Sequence, residues 1–299
     1  LNQAFERILM EPKPTVKLTS FHLAGIIPVA GHKHDFGFQW DNVMMPIAEN
    51  YTALERSVME CAYAGCETIW IVCNQDIQPL IRHRLGEMVQ DPVWYGRTLS
   101  VKPEEHRKQI PIYYVPISAH DRNQRDSLSW SALHGMYTAD YVSRMMSKWL
   151  RPNMFYVSFP YGVYRVSFLR DHRKTISTGD PFYLVDKSQT VADGKYLGFT
   201  ISWKEAQRIR KRIWEESTLK NDKESGRRLP VEERFSARFN TVHETFHDLT
   251  KEKASYAPAP EYYSIDSWEN YTEYAFLLGR DIRRPSDKIL KSRNFKGIG

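Results

Sequence analysis

The sequence predicts an α/β fold: a three-layer α/β/α arrangement on a mainly parallel mixed sheet, with a helical C-terminal appendage. Two observations carry this reading. Apolar, β-branched runs alternate with runs of helix length between residues 21 and 201, the order that builds βαβ units and a parallel sheet. In addition, Gly25 to Asn74 reads as one complete unit. An apolar strand, Gly25 to Gly31, ends in glycine. A loop of small, polar and aromatic residues runs to Pro46-Ile47. Thr52 to Glu67 reads as a helix stopped by Gly65, and Thr68 to Asn74 as a second buried strand. In such units a ligand sits over the carboxyl end of the first strand.

The other elements follow in order. Residues 1–20 read as an N-terminal arm, because Pro12 and Pro14 break any helix. Gln78 to Met88 is a short helix ending near Gly86. Gln109 to Pro116 is a third strand, rich in β-branched and aromatic residues. Ser127 to Leu150 is a long helix with Asp126 or Ser127 as N-cap, and Met154 to Phe159 is a fourth strand. Phe182 to Val185 and Tyr196 to Ile201 are strands flanking the Asp193-Gly194 turn. Ser202 and Glu205 form a capping-box pattern that opens a helix. Lys220 to Arg228 reads as an exposed loop, Val231 to Leu249 as a helix, and Ala254 to Pro260 as a linker or loop. A final helix spans Ser267 to Leu278. The expected organisation is an arm (1–20), an α/β domain (21–201) and a mainly helical region packed on it (202–299).

Composition narrows the class. Hydrophobic residues at 41% and charged residues at 26% match a globular chain. No apolar run reaches the roughly 20 residues of a bilayer span, so no membrane partner is expected. Leu1 to Pro14 lacks a basic start followed by an apolar stretch, and the expected location is cytoplasmic. Cys61, Cys66 and Cys73 all lie in the first βαβ unit and read as reduced thiols in or near the core. Net charge is +6, with basic residues dense from Lys204 to Lys223 and from Arg280 to Lys296. That leaves a nucleotide or nucleic acid open as an anionic partner, beside the commoner reading of solvated helix faces.

The strand ending in Ala30-Gly31, the loop, Pro46-Ile47 and the helix ending in Ala64-Gly65 together resemble the start of the sugar-phosphate nucleotidyltransferases, which have a glycosyltransferase-A-like fold. Asp121 to Leu128 is similar to the Arg-Gln-x-Ser-Val segment of the methylerythritol phosphate cytidylyltransferases. Tyr263 to Tyr271 resembles their Ile-Asp-Thr-x-x-Asp-Tyr segment. The resemblance implies a nucleotide over the first strand, with Val29, Ala30 and Gly31 near base or ribose, and Arg125 and Ser127 at the nucleotide. Lys33 would serve the phosphates, and Asp266 would help hold Mg²⁺. Arginine beside exposed N–H groups at a helix start suits phosphate. Ser127, and either Asp266 or Ser267, read equally as helix N-caps.

The departures from that pattern are specific. The loop Gly31 to Asn42 has no Pro-Lys and no arginine; His32, Lys33 and His34 are its cations. The fourth strand ends Ser158-Phe159-Pro160-Tyr161 where the family carries a metal-binding aspartate. Mg²⁺ takes hard oxygen ligands. Asp35, Asp41 or Asp171 would have to replace that aspartate, or the chain keeps the fold without the chemistry.

A competing pattern is His243-Glu244-Thr245-Phe246-His247, which fits H-E-x-x-H. On a helix, His243 and His247 would share one face as zinc ligands, with Glu244 as base and Glu269 or Glu273 as third ligand. Asp248 and the apolar stripe Phe235, Phe239, Val242 and Phe246 argue against zinc. Aromatic loops such as Phe36 to Trp40 suit base stacking, a packed lid or a protein contact. The expected function is nucleotide binding, with transfer of a nucleotidyl group to a sugar phosphate or other phosphorylated small molecule. The alternatives are a non-catalytic binding or structural protein on the same fold, and a zinc hydrolase.

Overall fold

The computed structural model describes residues 21–31, 36, 42–97, 108–146, 151–216, 221, 225–230 and 240–290. The arm 1–20, Lys33 and the candidate replacements Asp35 and Asp41 lie outside the described residues.

Strand β1 (Leu23–Pro28) is buried along its whole length, as its unbroken apolar run requires of a central parallel strand. A short hairpin, β2 (Pro46–Ala48) and β3 (Tyr51–Thr52), leads into helix α1 (Ala53–Ala64). Thr52 and Glu55 form a full capping box at its start, and Gly65 closes its end. Strand β4 (Thr68–Cys73), helix α2 (Gln78–Leu85), strand β5 (Met88–Gln90) and helix α3 (Pro92–Arg97) follow. Then come strand β6 (Gln109–Pro116), helix α4 (Ala119–Gln124), helix α5 (Leu128–Met146) and strand β7 (Met154–Val157). Strand β8 (Gly162–Val163), helix α6 (Leu169–Ile176), strands β9 (Phe182–Val185) and β10 (Phe199–Ser202), and helix α7 (Trp203–Glu216) continue the chain. Helix α8 (Val242–Phe246), strands β11 (Ser255–Pro258) and β12 (Tyr263–Ser264), and helix α9 (Trp268–Asp281) complete it.

Eight strands form one sheet in the order β11-β9-β10-β7-β1-β4-β6-β5. The inner strands β7, β1, β4 and β6 are parallel, as the sequence predicts. β10 runs antiparallel to β7, and β5 antiparallel to β6. One face packs under α1 with Ile27, Leu54, Ile69 and Tyr156. The other packs under α5, α7 and α8 with Ile26, Val72, Leu133 and Phe199. The result is the expected three-layer α/β/α fold with a mainly parallel mixed sheet. Among the described residues no helix is long and apolar enough to cross a membrane.

Two expectations are corrected. Val231 to Leu249 is not one helix: Thr241 is an extended N-cap (φ −69°, ψ 169°), and α8 ends at Phe246. The Thr241 hydroxyl accepts from the Glu244 N–H, so a cap stands where helix interior was expected. Residues 231–239 lie outside the described residues. Ala254 to Pro260 is also more than a linker. It holds β11, which pairs in parallel with β9; a proline at its end is tolerated because the strand is an edge.

Helix α1 is buried on nearly every side yet carries Glu55, Arg56 and Glu60. Each is paired. Glu60 is 0% exposed. It accepts from Arg56 Nη1 at 2.7 Å, Tyr156 OH at 2.8 Å, and the hydroxyls of Ser158 and Tyr164. Burial, and then the Glu60 charge, push both phenols well above the usual tyrosine range, so they remain donors. Arg56 also donates to Phe159 O at 2.6 Å and Ser57 Oγ at 2.9 Å. Gly198 closes the network, since a Cβ there would meet Glu60 Oε1 at 2.2 Å and Tyr156 OH at 2.3 Å. Glu55 pairs with Arg84 at 2.9 Å. Arg173 pairs with Asp91 at 2.7 Å and donates to the carbonyls of Ala62 and Tyr63 at the end of α1.

Removing one member of a buried ion pair strands its partner's charge. Glu60→Ala is therefore expected to lower unfolding free energy by about 3–5 kcal/mol in urea titrations. A loss below about 1 kcal/mol, the scale of an exposed pair, would contradict the burial described.

Candidate functional site

The parallel strands align their carboxyl ends on one edge, and β1 and β7 meet there after chain connections that leave in opposite directions. This is the switch point at which α/β sheets bind ligands. The Val29 and Ala30 N–H groups both donate to Val72 O, at 2.8 and 2.9 Å, which holds the end of β1 against β4. The Ser131 hydroxyl donates to Ala30 O at 2.5 Å. Gly31 follows at φ +132°, and a Cβ on it would lie 2.4 Å from the Ser127 carbonyl carbon and 2.5 Å from Leu128 N. Bare backbone is what lets the end of β1 touch the first turn of α5.

Ser127 caps α5: its Oγ accepts from the Trp130 N–H at 3.1 Å. Arg125 is 4% exposed. Its guanidinium lies 3.6 Å from Asp121 and 4.7 Å above the Trp130 ring. Burial lowers its pKa, Asp121 opposes that, and Arg210 adds to it. The structure thus brings Val29, Ala30, Gly31, Ser127 and Arg125 to one edge. Arg125, however, sits stacked and buried rather than extended over the edge.

The carboxyl end of β7 is organised differently. Ser158 donates to the buried Glu60, and Phe159 O accepts from Arg56. Tyr161 O accepts from the Ile265 N–H at 2.8 Å. β12 pairs with β8 through Tyr263–Val163 and Ser264–Gly162. That register carries Asp266 toward the end of β7. Asp266 Oδ1 accepts from Asn270 Nδ2 at 2.8 Å, and Ser267 is the N-cap of α9. Tyr196 edges against Phe159 at 5.8 Å and Tyr161 at 5.7 Å. Burial first, and then the Asp266 charge, raise its phenol.

The H-E-x-x-H residues have local structural bonds. Glu244 Oε2 accepts from the Thr241 N–H at 2.7 Å, completing the α8 capping box. His243 Nδ1 donates to Ala192 O at 2.6 Å, and His247 Nδ1 to Glu244 O at 3.0 Å. Their ring centroids are 6.0 Å apart. Asp248 is held by Arg208 and Arg212, each at 2.6 Å. Among the described residues no group of three His, Cys, Asp or Glu side chains could hold a metal ion. Asp171, on α6, pairs with Arg170 at 3.1 Å.

Sequence reasoning missed three residues near this edge. Trp130 and Arg210 form a stacked pair beside Arg125, with the Arg210 guanidinium 5.5 Å from the Trp130 ring centroid. The available signal was the helical spacing of Trp130 and Tyr137 opposite a basic helix. Glu60 is a carboxylate bonded to Ser158 just past the end of β7, and it is fully buried. Its signal was a carboxylate among the apolar residues of α1.

No family model matches the chain, and no curated protein does. Among solved structures, the chain is similar to a Bacillus anthracis protein described as a glucose-1-phosphate thymidylyltransferase. The TM-score is 0.54 at 10% identity, over 89% of this chain and 98% of that one. A protein of Mycobacterium tuberculosis H37Rv aligns with TM-score 0.46 and 10% identity, over 86% of this chain and 99% of that one; that score is too low for a shared fold to follow. The first likeness shows a nucleotidyltransferase-like fold.

Two measurements probe this edge. Gly31→Ala forces a Cβ into the α5 backbone at a positive φ, so a loss of more than about 2 kcal/mol is expected in urea titrations. His134, on α5, has its pKa lowered by burial, against the opposing pull of Asp121. Its folded pKa lies below its unfolded one, so its contribution is present above about pH 6.5 and fades as pH falls through the folded value. Wild-type stability should drop between pH 7.5 and 5.5, and drop less in His134→Gln.

Proposed function

We propose that this chain binds a nucleoside triphosphate over the carboxyl end of β1 and acts as a nucleotidyltransferase-like protein on a phosphorylated small molecule. The observation that carries the reading is the bare-backbone contact of Gly31 with the first turn of α5. That contact sets the end of β1 against a helix N-terminus, which favours anions. Val29, Ala30 and Gly31 would lie under base or ribose. Lys33 would neutralise phosphate charge, and Arg125 and Ser127 would flank the nucleotide. Such a site works by positioning and by charge neutralisation.

The fold family implies Mg²⁺. Asp266 offers one hard carboxylate oxygen besides the one bound by Asn270. That fits Mg²⁺ held mostly by triphosphate and water. When bound, the ion would offset the phosphate charge.

A second reading is a binding or structural protein that keeps the fold without turnover. One observation favours it: β7 ends in Ser158, tied to the buried Glu60, rather than in a carboxylate facing the edge. Zinc at His243 and His247 is not expected, because Glu244 is engaged in its capping box.

A thermal-shift panel of nucleoside triphosphates with and without Mg²⁺ tests the first reading, since a ligand selective for the native state raises Tm. At least one nucleotide should stabilise the protein. Arg125→Ala should weaken its binding by about 1.5–3 kcal/mol in calorimetry, the scale of a charged hydrogen bond. No shift with any nucleotide would end the reading. Binding without pyrophosphate release across sugar phosphates would select the second. One zinc per chain, lost in His243→Ala, would revive the hydrolase.

A further inference from the structure

We infer that the cavity beside the start of α1 binds a short-chain organic carboxylate, at a place separate from the nucleotide edge. The cavity holds about 100 Å³. Three stretches that are distant in sequence wall it: β3 with α1, the segment after β8, and the segment after α9. None of Val29, Ala30, Gly31, Arg125 or Ser127 lines it.

Its charged lining is entirely cationic. Arg56, Arg165 and Arg283 contribute to it, and no carboxylate does among the described residues. Arg56 is neutralised by Glu60, and Arg165 by Glu261 at 2.7 Å. Arg283 is exposed and has no ion-pair partner among the described residues. One positive charge at the rim is therefore uncompensated. Two deeper lining groups lack hydrogen bonds. Arg56 is 1% exposed; its Nη1 and Nη2 are engaged by Glu60, Ser57 and Phe159, but its Nε has no acceptor among the described residues. The Tyr51 hydroxyl has no partner there either, on a side chain 2% exposed. Buried donors left unbonded are costly, so both are groups that a ligand can satisfy.

A carboxylate meets these demands. It accepts from O–H and N–H donors at once, and its single charge matches the single uncompensated cation. Met59, Val166, Ile282 and Pro285 supply an apolar wall for a short aliphatic chain. The volume limits its length: a cavity of about 150 Å³ takes up benzene, so about 100 Å³ has room for a few heavy atoms and none for a nucleoside. A water molecule would satisfy the hydroxyl but bring no charge. A phosphate dianion would bring a second charge and no apolar surface.

Thermal shift and calorimetry on the full chain, at constant ionic strength, test the inference with propionate, its neutral isostere propionamide, and inorganic phosphate. Propionate is expected to raise Tm saturably, with millimolar affinity, and propionamide to leave it unchanged. Tyr51→Phe should weaken propionate binding by about fivefold or more, the scale of one hydrogen bond. The Tm of that variant without ligand should equal or exceed the wild-type value, because the deleted hydroxyl has no partner to lose; a purely structural tyrosine would show the reverse. Arg283→Gln, at an exposed position, should weaken binding about fivefold or more and keep the wild-type Tm. Any nucleoside triphosphate shift should persist in Tyr51→Phe, which separates the two sites. Absence of saturable propionate binding, equal binding of propionamide, tighter binding of phosphate, or unchanged affinity in either variant would each overturn the inference.

Discussion

The carboxylate of Glu60 is the point on which the two halves of the sheet are joined. It sits on α1, but its donors come from α1, from β7 and from the segment after β8. Such a group is stable only when every lone pair is satisfied, because an unpaired charge in this interior costs several kcal/mol. The arrangement therefore specifies one register. α1 cannot slide along the sheet, β7 cannot shift against β1, and Gly198 must bring its bare backbone alongside. Hydrophobic burial alone would tolerate a range of helix positions; this polar cluster tolerates one.

That constraint shapes the neighbouring edge. Ser158 and Phe159 are the residues that follow β7, both fully buried and both bonded to α1. The end of β7 is thereby occupied by structural bonds, and the polar character of the edge shifts to its two flanks. One flank is the first turn of α5, with Gly31, Ser127 and Arg125. The other is Asp266, delivered by the β8–β12 ladder.

Much of the fold was legible in the sequence because its signals are local. Apolar β-branched runs marked the four inner strands, and the run from Thr52 to the Gly65 stop marked α1. Gly31 and Ser127 were legible for the same reason: a glycine after a buried strand and a serine before a helix have few other uses. The rest was hidden by long-range effects. Glu55, Arg56 and Glu60 read as solvent residues by type, and only their partners Arg84, Phe159 and Tyr164 explain their burial. The stripe through Val242 and Phe246 has helical period, but Thr241 offers a side-chain cap that ends the repeat. β11 was masked by its proline and alanine content, because its place depends on β9 having a free edge. Arg125 reads from sequence as a nucleotide contact, and its stacking on Trp130 is side-chain packing that no local motif marks.

The late arrival of β11 and β12 sets the order in which the molecule can be assembled. Ser255 must find Phe182, and Ser264 must find Gly162. Such distant pairings are entropically slow to close. During synthesis, the inner strands and α1 can consolidate while β9 remains an open margin. An open margin of unpaired backbone is the feature most prone to join another chain. The same C-terminal stretch that carries Asp266 toward the end of β7 thus also shields the nascent sheet from misassembly.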